Sequence, residues 1–245
     1  MKDFKLKIFC DFDGTVTQND VWVNSLGKFI KDRKKFAEVC SQFSQCQITA
    51  RECLLKELEL VEDFSIDKFN LYLNDEKLDD YFNDFMEYCR INKYQIFILS
   101  EGLDFYIKFI FQKYNISLPF FSNKLKTSDN NGKIKLGCEF PYSDETCNWC
   151  GVSKRNIILT NTNEYDNEVS VFIGDGISDC CAANYSDIVF AKKELASYCW
   201  KNNITYFEYK NFSDIIKKIE RLIEKKQIKQ RQTAKINRRN VFWGG

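Results

Sequence analysis

Asp11 and Asp13 stand two residues apart in Asp11-Phe12-Asp13-Gly14, directly after the apolar run Leu6 to Cys10. The length of that run and its β-branched and aromatic content suit a buried strand. Where an extended chain leaves such a strand, carboxylates at i and i+2 can face one point in space. Their repulsion costs free energy unless a cation or a shared proton offsets it. A hard divalent cation with oxygen ligands, most naturally Mg²⁺, meets that need. The chemistry open to the pair is covalent catalysis by a carboxylate. The chain has no histidine. That removes Ser-His-Asp and Cys-His nucleophiles, phosphohistidine chemistry and His-ligated zinc hydrolysis.

The elements that must position these groups follow from the hydrophobic pattern. From Val21 to about Arg90 the sequence reads as helical, with Cys53, Leu54, Leu58 and Val61 on one face and Phe82, Phe85, Met86 and Cys89 on another. This stretch is expected to be an all-helical insertion. Tyr94 to Leu99 is a continuous apolar run expected as a buried strand that ends at Ser100-Glu101-Gly102, and a helix is expected from Leu103 to Tyr114. Leu118 to Phe121 reads as a short strand, and Lys124 to Leu136 as a hairpin turning at Asn130-Asn131-Gly132. Further on, a helix is expected over Lys154 to Thr160 and a strand over Val169 to Ile173, closing on Gly174-Asp175-Gly176. A helix over Ile177 to Ala183, strands at Ile188 to Phe190 and Thr205 to Phe207, and a long helix from Phe212 complete the pattern. Strands alternating with helices imply a doubly wound parallel sheet with right-handed crossovers. In such a sheet ligands bind at the carboxyl ends of the strands, and Asp11, Ser100 and Asp175 each follow an expected strand.

With 245 residues, 44% of them hydrophobic, the chain can bury one sizeable core or a core with a smaller partner. No apolar run approaches the length of a membrane span, and Met1-Lys2-Asp3-Phe4-Lys5 has no signal-peptide pattern, so a cytoplasmic protein is expected. The 11 cysteines then read as reduced, buried small hydrophobes. Net charge is +1, but from Lys217 onward ten Lys and Arg face two Glu. Such a tail could touch nucleic acid or anionic lipid; the expectation is a solvated helix end.

Four motifs in order carry a resemblance to the haloacid dehalogenase-like phosphatase superfamily: DFDGTVT at 11–17, LSEG at 99–102, a lysine at 154 and GDGISD at 174–179. The resemblance covers almost the whole chain. It implies an α/β Rossmann-like core over 1–18 and 91–245, a helical cap over 19–90 and a small β-hairpin flap over 122–150. It further implies phosphomonoester hydrolysis with Asp11 as nucleophile and Asp13 as general acid and base. Ser100 and the amides of Glu101 and Gly102 would hold the phosphoryl oxygens, and Lys154 would neutralise charge, with Arg155 beside it leaving that position open by one. Asp175 would ligate Mg²⁺ together with Asp11 and the Asp13 carbonyl, supported by Asp179.

Among capped relatives the pattern resembles the phosphoserine phosphatases, which makes Asp20 and Arg51 candidate substrate-binding residues. It resembles still more the methionine-salvage phosphatases that act on 2-hydroxy-3-keto-5-methylthiopentenyl-1-phosphate, through CNWCGVSK and GDGISDCCAANYSDIVFAK. The expected partner is therefore a small phosphorylated metabolite, with no membrane or nucleic acid, bound by a monomer or homodimer. The alternatives are a phosphoserine phosphatase or a phosphotransferase on the same scaffold. Cys138, Cys147 and Cys150 could seat a structural Zn²⁺, although the pattern lacks a fourth ligand.

Overall fold

A computed structural model describes residues 4–130, 133–147 and 149–242. In chain order the elements open with β1 (Lys5–Asp11), α1 (Val21–Asn24), α2 (Arg33–Ser44), α3 (Ala50–Glu59), α4 (Ile66–Asn74) and α5 (Phe82–Ile91). They continue with β2 (Gln95–Leu103), α6 (Asp104–Lys113), β3 (Phe120–Asn130), β4 (Lys133–Glu139), α7 (Lys154–Thr160) and β5 (Glu168–Gly174). The last elements are α8 (Cys180–Tyr185), β6 (Ile188–Ala191), α9 (Lys193–Lys201), β7 (Phe207–Glu208), α10 (Phe212–Glu224) and α11 (Gln232–Phe242). The strands form one sheet in the order β4-β3-β2-β1-β5-β6-β7. Pairs β1–β5, β5–β6 and β6–β7 are parallel, and β3–β4 is antiparallel. This is the expected α/β, Rossmann-like architecture.

The chain separates into two compact units. One gathers the residues up to Val16, Leu78–Ile98 and the chain from Lys154 on; the other holds Thr17–Lys77 and Leu99–Ser153. In the first unit Ile8, Phe9 and Cys10 of β1, Val169 to Ile173 of β5 and Val189 to Ala191 of β6 are all buried. Strands buried on both faces need helices on both sides, which explains why they read as unbroken apolar runs. α5 belongs to this unit because Phe82 and Phe85 pack on Phe212 of α10, with ring centroids 5.0 and 4.8 Å apart. Residues 78–98 therefore join the first unit.

In the second unit short polar residues start the helices by accepting orphaned backbone N–H groups. Asp32 accepts from Lys35 N to open α2, and Ser65 accepts from Lys68 N to open α4. Thr49 and Glu52 form a reciprocal capping box at α3. Phe29, Phe64, Phe69 and Phe105 form a chain of ring contacts, tilted, edge-on and stacked in turn, that holds α4 to α6. β3 is a single strand of 11 residues rather than a short strand followed by a hairpin arm. Its register sets Leu125 opposite Cys138 and Thr127 opposite Leu136. Of the expected hairpin turn, Asn131 and Gly132 lie outside the described residues.

The C-terminal segment departs from the solvated helix expected of it. α10 ends at Glu224, and α11 follows as a second helix. Arg238 on α11 is 5% exposed and donates to the Asp187 carboxylate at 3.1 Å and to the Tyr185 carbonyl at 2.7 Å. Asp187 also accepts from the amide and the hydroxyl of Ser170, both at 2.9 Å, and from the Arg231 amide at 3.0 Å. Buried carboxylate partners, invisible to a charge count, hold these basic residues against the sheet. α9 was absent from the expected pattern; it buries Leu195 and Cys199, one helical turn apart.

Candidate active site

β1 delivers Asp11 at its carboxyl end, and the chain then turns sharply. Asp13 keeps an extended backbone (φ −71°, ψ 120°), whereas Gly14 is left-handed at φ 71°. A Cβ on Gly14 would lie 2.7 Å from Asp175 Oδ2 and 3.3 Å from Lys193 Nζ, so both conformation and space require glycine. β5 ends next to it at Gly174, and Asp175 follows. A Cβ on Gly174 would collide with the Asp179 carboxylate.

Three carboxylates converge here. Asp11, Asp175 and Asp179 each offer an oxygen within 4.8 Å of the others, and all three are buried. Among the described residues no other His, Cys, Asp or Glu side chains form such a group of three. Lys154, at the start of α7 and fully buried, donates from Nζ to Asp11 Oδ1 and to Asp179 Oδ1, each at 2.6 Å. Asp179 bends back over the loop and accepts from the amides of Asp175 and Gly176 at 3.0 and 3.1 Å. Tyr209, also buried, donates to the Gly174 carbonyl at 3.3 Å and lies 3.4 Å from Thr15 Oγ1.

Burial lifts the Asp11 pKa well above the usual carboxylate range, the Asp179 charge lifts it further, and the Lys154 ammonium opposes them. Asp179 is raised as well, again chiefly by burial, with Lys154 pulling it down. Even with Lys154 between Asp11 and Asp179 and Lys193 on Asp175, the three acids when ionised carry excess negative charge. A hard divalent cation fits this set, because every side-chain ligand offered is a carboxylate oxygen.

The remaining expected site residues lie in the second unit. β2 runs through Ser100 to Leu103, and the Ser100 hydroxyl accepts from Gly102 N at 2.9 Å. The Glu101 carboxylate accepts from Gly151 N at 2.9 Å, and the Glu101 carbonyl from Asn123 Nδ2 at 2.5 Å. Asp20 caps α1 by accepting from Val23 N at 3.0 Å. Arg51 donates to the carbonyls of Cys150, Asp144 and Cys147 at 2.9, 3.4 and 3.3 Å. Its guanidinium thus ties α3 to the loop that follows the hairpin. Cys138, Cys147 and Cys150 make no cluster of three ligands among the described residues, so the Zn²⁺ expectation has no geometric support.

Three residues near the acids were missed in the sequence. Lys193 Nζ lies 2.7 Å from Asp175 Oδ2, and Thr15 and Tyr209 line the same loop. Thr15 lies inside the quoted DFDGTVT stretch and Lys193 directly follows GDGISDCCAANYSDIVFAK, which was a usable signal. Tyr209 carried none, since it stands far from every motif.

A family profile described as Putative Phosphatase matches residues 6–222. The chain belongs to that phosphatase family. Among curated relatives of this family member is a 2-hydroxy-3-keto-5-methylthiopentenyl-1-phosphate phosphatase of Bacillus cereus, 27% identical over 224 residues, covering 90% of this chain and 99% of the relative. Solved structures of the same fold include a phosphoserine phosphatase held as an analogue of its phospho-aspartyl intermediate. That match has a TM-score of 0.67 and 18% identity, over 88% of this chain and 99% of the other. A substrate-bound phosphoserine phosphatase matches with a TM-score of 0.67 and 19% identity, over 89% and 99%. No helix among the described residues is long and apolar enough to cross a membrane.

Proposed function

We propose that this phosphatase-family chain hydrolyses the phosphate monoester of a small metabolite through an aspartyl phosphate on Asp11, with Mg²⁺ as cofactor. The observation that carries the reading is the buried trio Asp11, Asp175 and Asp179, bridged by Lys154 with two 2.6 Å contacts. In the first step an Asp11 oxygen bonds to phosphorus while the bond to the leaving alkoxide breaks. Asp13 gives its proton to that oxygen, and the alcohol departs. Asp13 then takes a proton from water as the water oxygen attacks phosphorus, and the Asp11–phosphorus bond breaks to release inorganic phosphate. Lys154 stabilises charge on Asp11 throughout and fixes its orientation.

Asp11, Asp175 and the Asp13 carbonyl would hold Mg²⁺, with Asp179 bracing the loop. The ion supplies positive charge that keeps Asp11 ionised and offsets that of an entering phosphate dianion. Ser100 and the amides of Glu101 and Gly102 keep, from motif order alone, the role of holding phosphoryl oxygens.

For the substrate we favour the methionine-salvage ketone phosphate named for the Bacillus relative, supported by likeness along 90% of this chain. Phosphoserine is the second candidate, supported by the fold neighbours. A cytoplasmic location suits either. The test is purified protein against a panel of phosphometabolites that includes both, with and without EDTA, scored by phosphate release. EDTA-sensitive release, highest for the ketone phosphate, is expected. Release that ignores EDTA would remove the metal, and phosphate passed only to added alcohols would make the protein a transferase.

A further inference from the structure

Lys193 opens α9 with φ 48°, a left-handed backbone that costs free energy for any residue with a Cβ. Among the described non-glycine residues, Cys46, Lys93, Asn115, Asn203 and Lys226 share that conformation just past the ends of α2, α5, α6, α9 and α10. A left-handed residue ordinarily closes a helix there. Lys193 instead begins one, so helix termination does not account for it. The surroundings hold it in place: Lys192 N donates to the Gly174 carbonyl at 3.3 Å and Leu195 N to the Asp175 carbonyl at 3.0 Å. Backbone and side chain thus both fasten the start of α9 to the loop that carries Asp175, where Lys193 Nζ rests 2.7 Å from Oδ2.

The two lysines at the acids differ in one decisive respect. Lys154 has no exposed surface and sits between two carboxylates, so its ammonium has no route to water. The Lys193 side chain is 56% exposed, and its ammonium rests on the Asp175 carboxylate. It also borders a cavity of about 610 Å³ lined by Lys192, Trp200, Tyr206 and Tyr209, into which the ammonium can swing.

We propose that Lys193 is a positioning residue, a tethered internal cation that competes with divalent metal for Asp175 and thereby sets the metal affinity of the site. The strained start of α9 aims the ammonium at Oδ2, and the open cavity lets it withdraw when a divalent ion binds. The proposal rests on Asp175 being a metal ligand, as in the proposed function, and it assigns Lys193 no contact with substrate.

Isothermal titration of the full chain with MgCl₂ tests it without any turnover. Lys193→Met should lower the Mg²⁺ Kd by about fivefold, the scale of a half-exposed ion pair. Lys193→Arg, which keeps the charge, should stay near wild type. Lys193→Gly should match Lys193→Met and is a second variant that relieves the left-handed backbone, so poor folding of one leaves the other. If Met and Gly variants bind Mg²⁺ with unchanged or weaker affinity while Asp175→Asn abolishes binding, Lys193 is no competitor and the proposal fails alone. If Asp175→Asn binds as wild type does, the metal-ligand reading of Asp175 fails and takes this inference with it.

Discussion

Asp11 and Glu57 are buried to nearly the same degree, at 5% and 8% exposure, yet their surroundings differ in kind. Asp11 lies among other carboxylates bridged by the Lys154 ammonium. Glu57, in the helical part of the second unit, has thiols for neighbours: the Cys40 Sγ donates to it at 3.5 Å. Burial pushes the Glu57 pKa up to about 7, the Cys40 and Cys53 thiols hold it back, and the Asp20 charge adds a smaller upward push. The same burial pushes the Cys40 thiol up to about 12. Both acids therefore tend to keep a proton, but only Asp11 has a cation in contact and further acids able to recruit another. Burial alone favours a neutral acid; burial beside positive charge favours the ionised form.

Removing the Asp11 carboxylate is the strongest challenge to that contrast. Asp11→Asn should cut turnover of an aryl phosphate by at least ~10³-fold. Near-normal rates in this variant would mean that Asp11 is only a buried acid like Glu57. Next in size, Lys154→Met should lower kcat by about 10²–10³-fold. It should also destabilise the fold by about 3–5 kcal/mol, because two buried carboxylates lose their counter-ion. A denaturant titration beside the kinetics separates the two losses; intact stability would show that Lys154 is not what balances these acids.

A smaller effect is expected at Glu57. Glu57 has a folded pKa of about 7 against 4.5 when unfolded, so its protonated form favours folding. That contribution is fully present below pH 4.5 and is lost as pH rises through 7, a span of about 3 kcal/mol. Glu57→Gln should therefore flatten the fall in melting temperature between pH 5 and pH 8. Parallel curves for wild type and variant would mean that Glu57 ionises as an exposed glutamate does. The smallest effect belongs to Arg51→Ala, at about 2 kcal/mol of stability from its lost carbonyl contacts. Faster amide exchange over residues 144–150 should accompany it. A rise in KM for the metabolite but not for an aryl phosphate would support the substrate-binding role expected from the sequence.

The strands carrying Asp11 and Asp175 were readable because a buried parallel strand is a local apolar run and its polar exit is the next residue. The helix starts at Asp32, Thr49 and Ser65 were open to the same local reading, since a cap bonds three residues ahead. The packing of α5 on α10 was not readable, for it depends on Phe82 and Phe85 meeting Phe212, some 130 positions further on. The docked α11 escaped for a like reason: the tail's charge is plain in the sequence, but its buried partner Asp187 is not.

The amino-acid order alone determined the sheet-and-helix alternation and which acids stand at strand ends, because those follow from short-range periodicity and residue type. Tertiary structure decided which charge meets which. It set Lys154 between Asp11 and Asp179, laid Lys193 on Asp175 and turned Arg51 onto backbone carbonyls. Such pairings depend on how distant segments close in space, and a side chain's type fixes what it can bind but not what the fold brings to it.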